Sequence, residues 1–126
     1  MVPTDLRYTK EHEWIRVQDG VATVGITAHA AEQLGDIVFV ELPGAGSAVS
    51  AGKTFGVVES VKAVSDLFAP VSGVVSEANP ALEGRPELVN AEPYGAGWMI
   101  RVTVADAAEL DALLDAAAYD ALIAAE

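Results

Sequence analysis

The stretch "VESVKAVSDL", residues 58–67, reads nearly the same from either end. Folded between Lys62 and Ala63, it sets Val61 against Val64, Ser60 against Ser65, Glu59 against Asp66 and Val58 against Leu67, so that like faces like across a β-hairpin. A one-residue slip would oppose Val58 to Asp66 and Ser60 to Val64, mixing apolar with polar side chains, and the symmetric register is therefore the expected one. Lys62 and Ala63 are then the central turn residues. Neither readily supplies the positive φ of type I′ or II′ turns, which points to a type I or slightly opened turn with the ammonium in water.

The same register opposes two acids. Glu59 across from Asp66 costs on the order of 0.2–1 kcal/mol, and a purely structural hairpin gains nothing from it. Lys62 relieves part of the repulsion in one reading, although an exposed ion pair is worth only about 0–1 kcal/mol. In the other reading the lysine is a modification target on a rigid tip, and the acids are recognition marks or partners for a later positive charge. The residues of the hairpin leave both open.

Working outward, residues 14–26 ("WIRVQDGVATVGI") alternate apolar and polar around Asp19-Gly20, a strong hairpin signal. "TAHAAEQLG" (27–35) has a capping Thr27, about two helical turns and Gly35 as the stop. "DIVFVELP" (36–43) is β-branched and aromatic, a strand. Residues 54–60 and 63–70 form the hairpin arms, 71–79 and 98–104 read as further strands, and the Pro- and Gly-rich 80–98 as an ordered excursion. From Asp106 the period becomes helical. Asp106 and Glu109 have capping-box spacing, and Leu110, Leu113, Leu114, Ala117, Ala121 and Leu122 form one stripe, predicting a C-terminal helix against the sheet with a break near 116–118. Seven or so short strands with two helical additions give a compact, mainly β sandwich or barrel.

The 126 residues suit one domain, residues 1–126. No apolar run approaches the ~20 residues of a bilayer span, and the N-terminus lacks the apolar core of a secretory leader, so a cytoplasmic protein is expected. The net charge of −12 disfavours nucleic acid and anionic membrane surfaces. Without cysteine, any redox work requires an attached cofactor. His12 and His29 lack zinc-ligand spacing and read as structural; "GAGSAV" and "GAGWMI" are not dinucleotide loops; no nucleophile elbow or phosphate loop is present. No catalytic or metal-binding residues are assigned.

"YTKEHEW", "GIT", "LGDIVFVELP", "ESVKA", "APVSG", "PELVN" and "PYGAGWM" occur in an order, over residues 8–101, that resembles the H protein family of the glycine cleavage system. The tail "LDALLDAAAYDALI" is similar to that family's helical end. The resemblance implies a barrel-sandwich hybrid related to lipoyl and biotinyl domains, with lipoic acid on Lys62 in amide linkage. Glu59 and Gly73 match positions associated with recognition by lipoyl-attaching enzymes. It implies a carrier and shared substrate, not an enzyme: glycine decarboxylase (P protein) loads the aminomethyl group, aminomethyltransferase (T protein) passes its methylene to tetrahydrofolate, and dihydrolipoyl dehydrogenase (L protein) reoxidises the arm with FAD and NAD. A monomer is expected. Asp66 and Glu13 are expected to hold the loaded arm, because a carried amine is stable while protonated and carboxylates favour its charged form.

Ala28 stands where relatives often carry an acid, and Gly84 and Arg85 enter a stretch usually more acidic or neutral. The nearest alternatives are a lipoyl-relay donor or a lipoyl module of 2-oxo acid dehydrogenases; a biotin carrier would flank its lysine with methionines rather than Val61 and Ala63. An unmodified acidic interaction protein is the reading from a different class.

Overall fold

The computed structural model describes residues 2–126, and among them it forms nine strands and four short α-helices. Strands β1 (Arg7–Tyr8), β2 (Glu13–Gln18) and β3 (Val21–Ile26) begin the larger sheet. Asp19 and Gly20 both take positive φ, 53° and 78°, as a type I′ connection between β2 and β3 requires. Helix α1 (Ala28–Leu34) follows the sequence closely: Thr27 caps it by accepting from the Ala30 N–H, and Gly35 ends it at φ 84°.

Then come β4 (Ile37–Glu41), β5 (Ala48–Val49), β6 (Thr54–Ser60), β7 (Val64–Phe68), β8 (Gly73–Ala78) and β9 (Ile100–Val104). The excursion between β8 and β9 holds two single-turn helices, α2 (Ala81–Gly84) and α3 (Leu88–Ala91). All pairings are antiparallel, in a six-stranded sheet of order β1-β2-β3-β9-β8-β5 and a three-stranded sheet of order β4-β6-β7. The inner faces close on one core, with Ile15, Val24, Val75 and Ile100 from the larger sheet meeting Val58 and Leu67 from the smaller. Each contributes about 1.5–3 kcal/mol by leaving water. β7 is an edge of the small sheet, which leaves one of its flanks unpaired.

The C-terminal segment departs from expectation. Asp106 does cap a helix, but a 3₁₀ helix over Ala107–Ala112, accepting from the Ala108 N–H. Glu109 makes no capping box; its carboxylate instead accepts from the Ser72 N–H (2.7 Å) and hydroxyl (2.9 Å). The helical path stops earlier than predicted, because Leu114 exchanges two backbone hydrogen bonds with Tyr8, each 2.8 Å. Asp115 then caps α4 (Ala116–Ala124). The predicted stripe is thereby divided: Leu110 and Leu113 pack on the main core, while Leu114 and Leu122 join a second cluster with Tyr8, Trp14 and Tyr119. Ala117 and Ala121 are exposed, and Ala116 and Tyr119 are buried in their place.

Candidate functional site

The β6–β7 hairpin forms, but its register differs by two from the symmetric one. Glu59 faces Val64, Val58 faces Ser65 and Val57 faces Asp66, so Val61 and Lys62 are the central turn residues rather than Lys62 and Ala63. An even shift keeps every side chain on its expected face and moves Glu59 and Asp66 from opposite to diagonal positions, easing their repulsion. The turn is further fixed by Ser60, whose N–H donates to the Ala63 carbonyl (2.8 Å) and whose hydroxyl oxygen accepts from the N–H groups of Lys62 (3.3 Å) and Ala63 (3.1 Å). The Val61 N–H donates to the Asp36 carbonyl (3.0 Å), tying the tip to the start of β4.

Lys62 is exposed at this tip and, among the described residues, forms no salt bridge. Its stem passes Gly35: a Cβ there would sit 3.5 Å from the lysine Cε. Val38, Phe39, Val61 and Val64 are all at least half exposed around the tip, an apolar apron interrupted by Glu59 and Asp66. Period 2 along β7 puts Val64, Asp66 and Phe68 on one face, and Asp66 is exposed.

At the far end of β7 lies Glu13, whose placement the sequence does not reveal. It is only 2% exposed. Its carboxylate accepts from the Thr9 hydroxyl (2.5 Å) and from the Phe68 N–H (3.3 Å), and it lines a cavity of about 580 Å³ with Tyr8, Thr9, Phe68, Pro70 and Leu113. Burial raises the carboxyl to about 7, against the downward pull of those two hydrogen bonds. The structure thus places Lys62, Glu59 and Asp66 on one hairpin and Glu13 at its far end. Gly73 stands apart, in β8, where a Cβ would lie 2.0 Å from the Thr103 carbonyl oxygen. Phe68 and Leu113 escape sequence reasoning because only the sheet edge and the returning C-terminal segment bring them to Glu13, whereas Thr9 reaches it through the local turn of residues 9–13.

The raised Glu13 has a stability consequence. Its folded form binds a proton more tightly than the unfolded chain, so its contribution is complete below pH 4.5 and is lost as pH rises through about 7. That difference amounts to roughly 3 kcal/mol. Chemical denaturation at pH 5 and 8 is expected to show a loss in the wild type that Glu13→Gln reduces by about that amount; parallel pH profiles would contradict the burial of this carboxyl.

An amine held out on a hairpin apex, in a two-sheet β fold with a buried carboxyl at the far end of the same hairpin, is the arrangement of a carrier domain. A family model described as "Glycine cleavage H-protein" matches residues 6–126. The glycine cleavage system H protein of Phenylobacterium zucineum is 64% identical over 119 residues, covering 94% of this chain and 98% of the relative. That of Escherichia coli is 58% identical over 123 residues, covering 97% and 95%. The crystal structure of a glycine cleavage system H protein from Mycobacterium marinum matches with a TM-score of 0.91 at 44% identity, covering 98% of this chain and 99% of that one. The chain belongs to the glycine cleavage H-protein family: it is a shuttle protein of that system, not an enzyme, and its fold is the lipoyl-domain-like barrel-sandwich hybrid.

Proposed function

We propose that Lys62 carries lipoic acid in amide linkage and that residues 1–126 act as one monomeric unit, moving the aminomethyl group of glycine from the P protein to the T protein, with the L protein restoring the arm. The observation that carries this reading is the pairing of a free, exposed amine at the apex with an edge strand leading to an enclosed carboxyl. The residues fit the group: the amine is exposed and, among the described residues, in no salt bridge, and its stem runs past Gly35 without a close contact. Bound there, the lipoyl group would supply the disulfide–dithiol chemistry by which a one-carbon amine is carried.

The chain's own residues do the rest. Glu13, with Thr9 and Phe68 each fixing one of its oxygens, would face a carried ammonium in the half-open cavity that Phe68, Pro70 and Leu113 line. A cation there favours the ionised carboxylate, and the carboxylate in turn favours the protonated amine. Asp66 lies on the same strand between tip and cavity and holds the ammonium during transit. The apolar apron of Val38, Phe39, Val61 and Val64 offers the partner enzymes a desolvatable surface, and Glu59 beside it serves the lipoyl-attaching enzyme. Gly73 serves that recognition indirectly, by keeping β8 and β9 in close register. A cytoplasmic setting goes with this cycle, whose NAD and tetrahydrofolate are soluble.

Co-expression with a lipoyl-attaching enzyme, followed by intact-mass and peptide analysis, tests the attachment: the lipoyl adduct is expected on Lys62, and an adduct on Lys10 or Lys53 instead would overturn it. Asp66→Ala is expected to leave lipoylation intact and to shorten the lifetime of the loaded carrier about two- to fivefold, the effect of an exposed charge pair worth up to ~1 kcal/mol. An unchanged lifetime removes Asp66 from the role.

A further inference from the structure

The two histidines that read as structural in the sequence converge, with a residue 97 positions further on, into one cluster. His12 precedes β2, His29 lies in the first turn of α1, and Glu126 follows α4. The Nε2 of His12 is 3.1 Å from one oxygen of Glu126, and the Nε2 of His29 is 2.9 Å from the other. One donor atom from each of the three residues lies within 4.8 Å of the others. We infer that His12, His29 and Glu126 form a binding site for a divalent late-transition cation of the zinc class.

Two imidazoles and a carboxylate are a recurrent zinc donor set, completed by solvent where the site is open. With metal–donor bonds of ~2.1 Å, tetrahedral geometry needs donors about 3.4 Å apart. The present donors lie within 4.8 Å of one another, so closing the triangle asks for movements of up to about 1.4 Å, shared between the exposed Glu126 and the two partly exposed imidazoles. The outer shell is already built. The His12 Nδ1 is 2.7 Å from the hydroxyl of the fully buried Tyr119, which is itself 2.7 Å from the buried Thr27 hydroxyl. When a cation takes the His12 Nε2, the Nδ1–H donates to Tyr119, Tyr119 donates to Thr27, and Thr27 still accepts from the Ala30 N–H. The ring orientation is therefore fixed before any metal arrives. His12 takes φ 70° and is held there by its N–H to Thr9 (3.1 Å) and by its carbonyl accepting from the Thr27 N–H (3.0 Å).

Nitrogen donors select zinc-class ions over Mg²⁺ or Ca²⁺, which prefer all-oxygen shells. The chain has two histidines and no cysteine, so no second imidazole pair or thiolate competes. A bound ion would link α1 and the end of α4 to the turn that precedes Glu13.

The test is calorimetric and thermal titration of the full-length, unlipoylated chain with Zn²⁺ and, separately, Mg²⁺. One Zn²⁺ per chain is expected, with a melting temperature that rises with free metal and no comparable rise with Mg²⁺. His29→Gln and Glu126→Gln should each weaken Zn²⁺ binding by about tenfold or more. Glu126→Gln alters an exposed residue outside the core, so it keeps the test valid even if the histidine variant folds poorly. Absence of saturable binding, equal response to Mg²⁺, or unchanged affinity in Glu126→Gln would overturn the site.

Discussion

Lys62→Arg is expected to abolish both lipoylation and glycine-dependent carbon dioxide exchange while leaving the fold intact. The substitution keeps a positive charge and a long stem at the tip but removes the primary amine that an attaching enzyme acylates. Lys62 is exposed, and the turn is held by Ser60 and by the Val61 N–H to the Asp36 carbonyl, neither of which involves the lysine side chain. A stability change within about 0.5 kcal/mol is therefore expected. Intact mass and circular dichroism read the two halves of this result: no adduct, and an unchanged spectrum and melting temperature. An adduct on the variant, or exchange activity retained by it, would remove Lys62 from the centre of the function.

Gly73→Ala should have the largest effect on stability. A Cβ at this position would stand 2.0 Å from the Thr103 carbonyl oxygen and 2.8 Å from a Val102 methyl, at the first pair of the β8–β9 ladder, where β8 also pairs with β5. Backbone cannot yield as a flexible side chain does, so the strands must part locally, at about 3 kcal/mol by comparison with overpacked cores. In a chain of this length that corresponds to a fall in Tm of roughly 10 °C. The same variant separates two roles for Gly73. Compared well below its melting temperature, a Gly73→Ala chain that is lipoylated at the wild-type rate has a purely structural glycine. A rate that falls while the chain is fully folded shows that the attaching enzyme reads this part of the surface.

Local chemistry made much of the fold legible. Asp19-Gly20 specified its hairpin because few other pairs tolerate two positive φ values in succession, and Thr27 and Gly35 marked both ends of α1. The lysine hairpin was legible as a hairpin but not in register. Side-chain likeness favoured Lys62-Ala63 at the turn, whereas the Ser60 hydroxyl and the Asp36 carbonyl, both outside that pattern, favour Val61-Lys62. The C-terminal stripe misled for a similar reason: Glu109 found a better partner in Ser72 than in its own helix, and Leu114 was drawn into a bridge with Tyr8.

The site was visible in part. Lys62, Glu59 and Asp66 share one short segment, so their proximity follows from the hairpin alone. Glu13 was named through family resemblance, but its burial and its contacts with Thr9 and Phe68 depend on three segments meeting. The His12, His29 and Glu126 cluster left no trace in spacing, since its members come from opposite ends of the chain.

The most direct measurement of the carrier role is glycine-dependent exchange of carbon dioxide by the P protein, supplied with this chain before and after lipoyl loading. Exchange that appears only with the loaded chain, and that a lipoyl module from a 2-oxo acid dehydrogenase does not match, is the predicted result. Equal exchange with the unloaded chain, or none with a chain shown by mass to be fully loaded at Lys62, would contradict it.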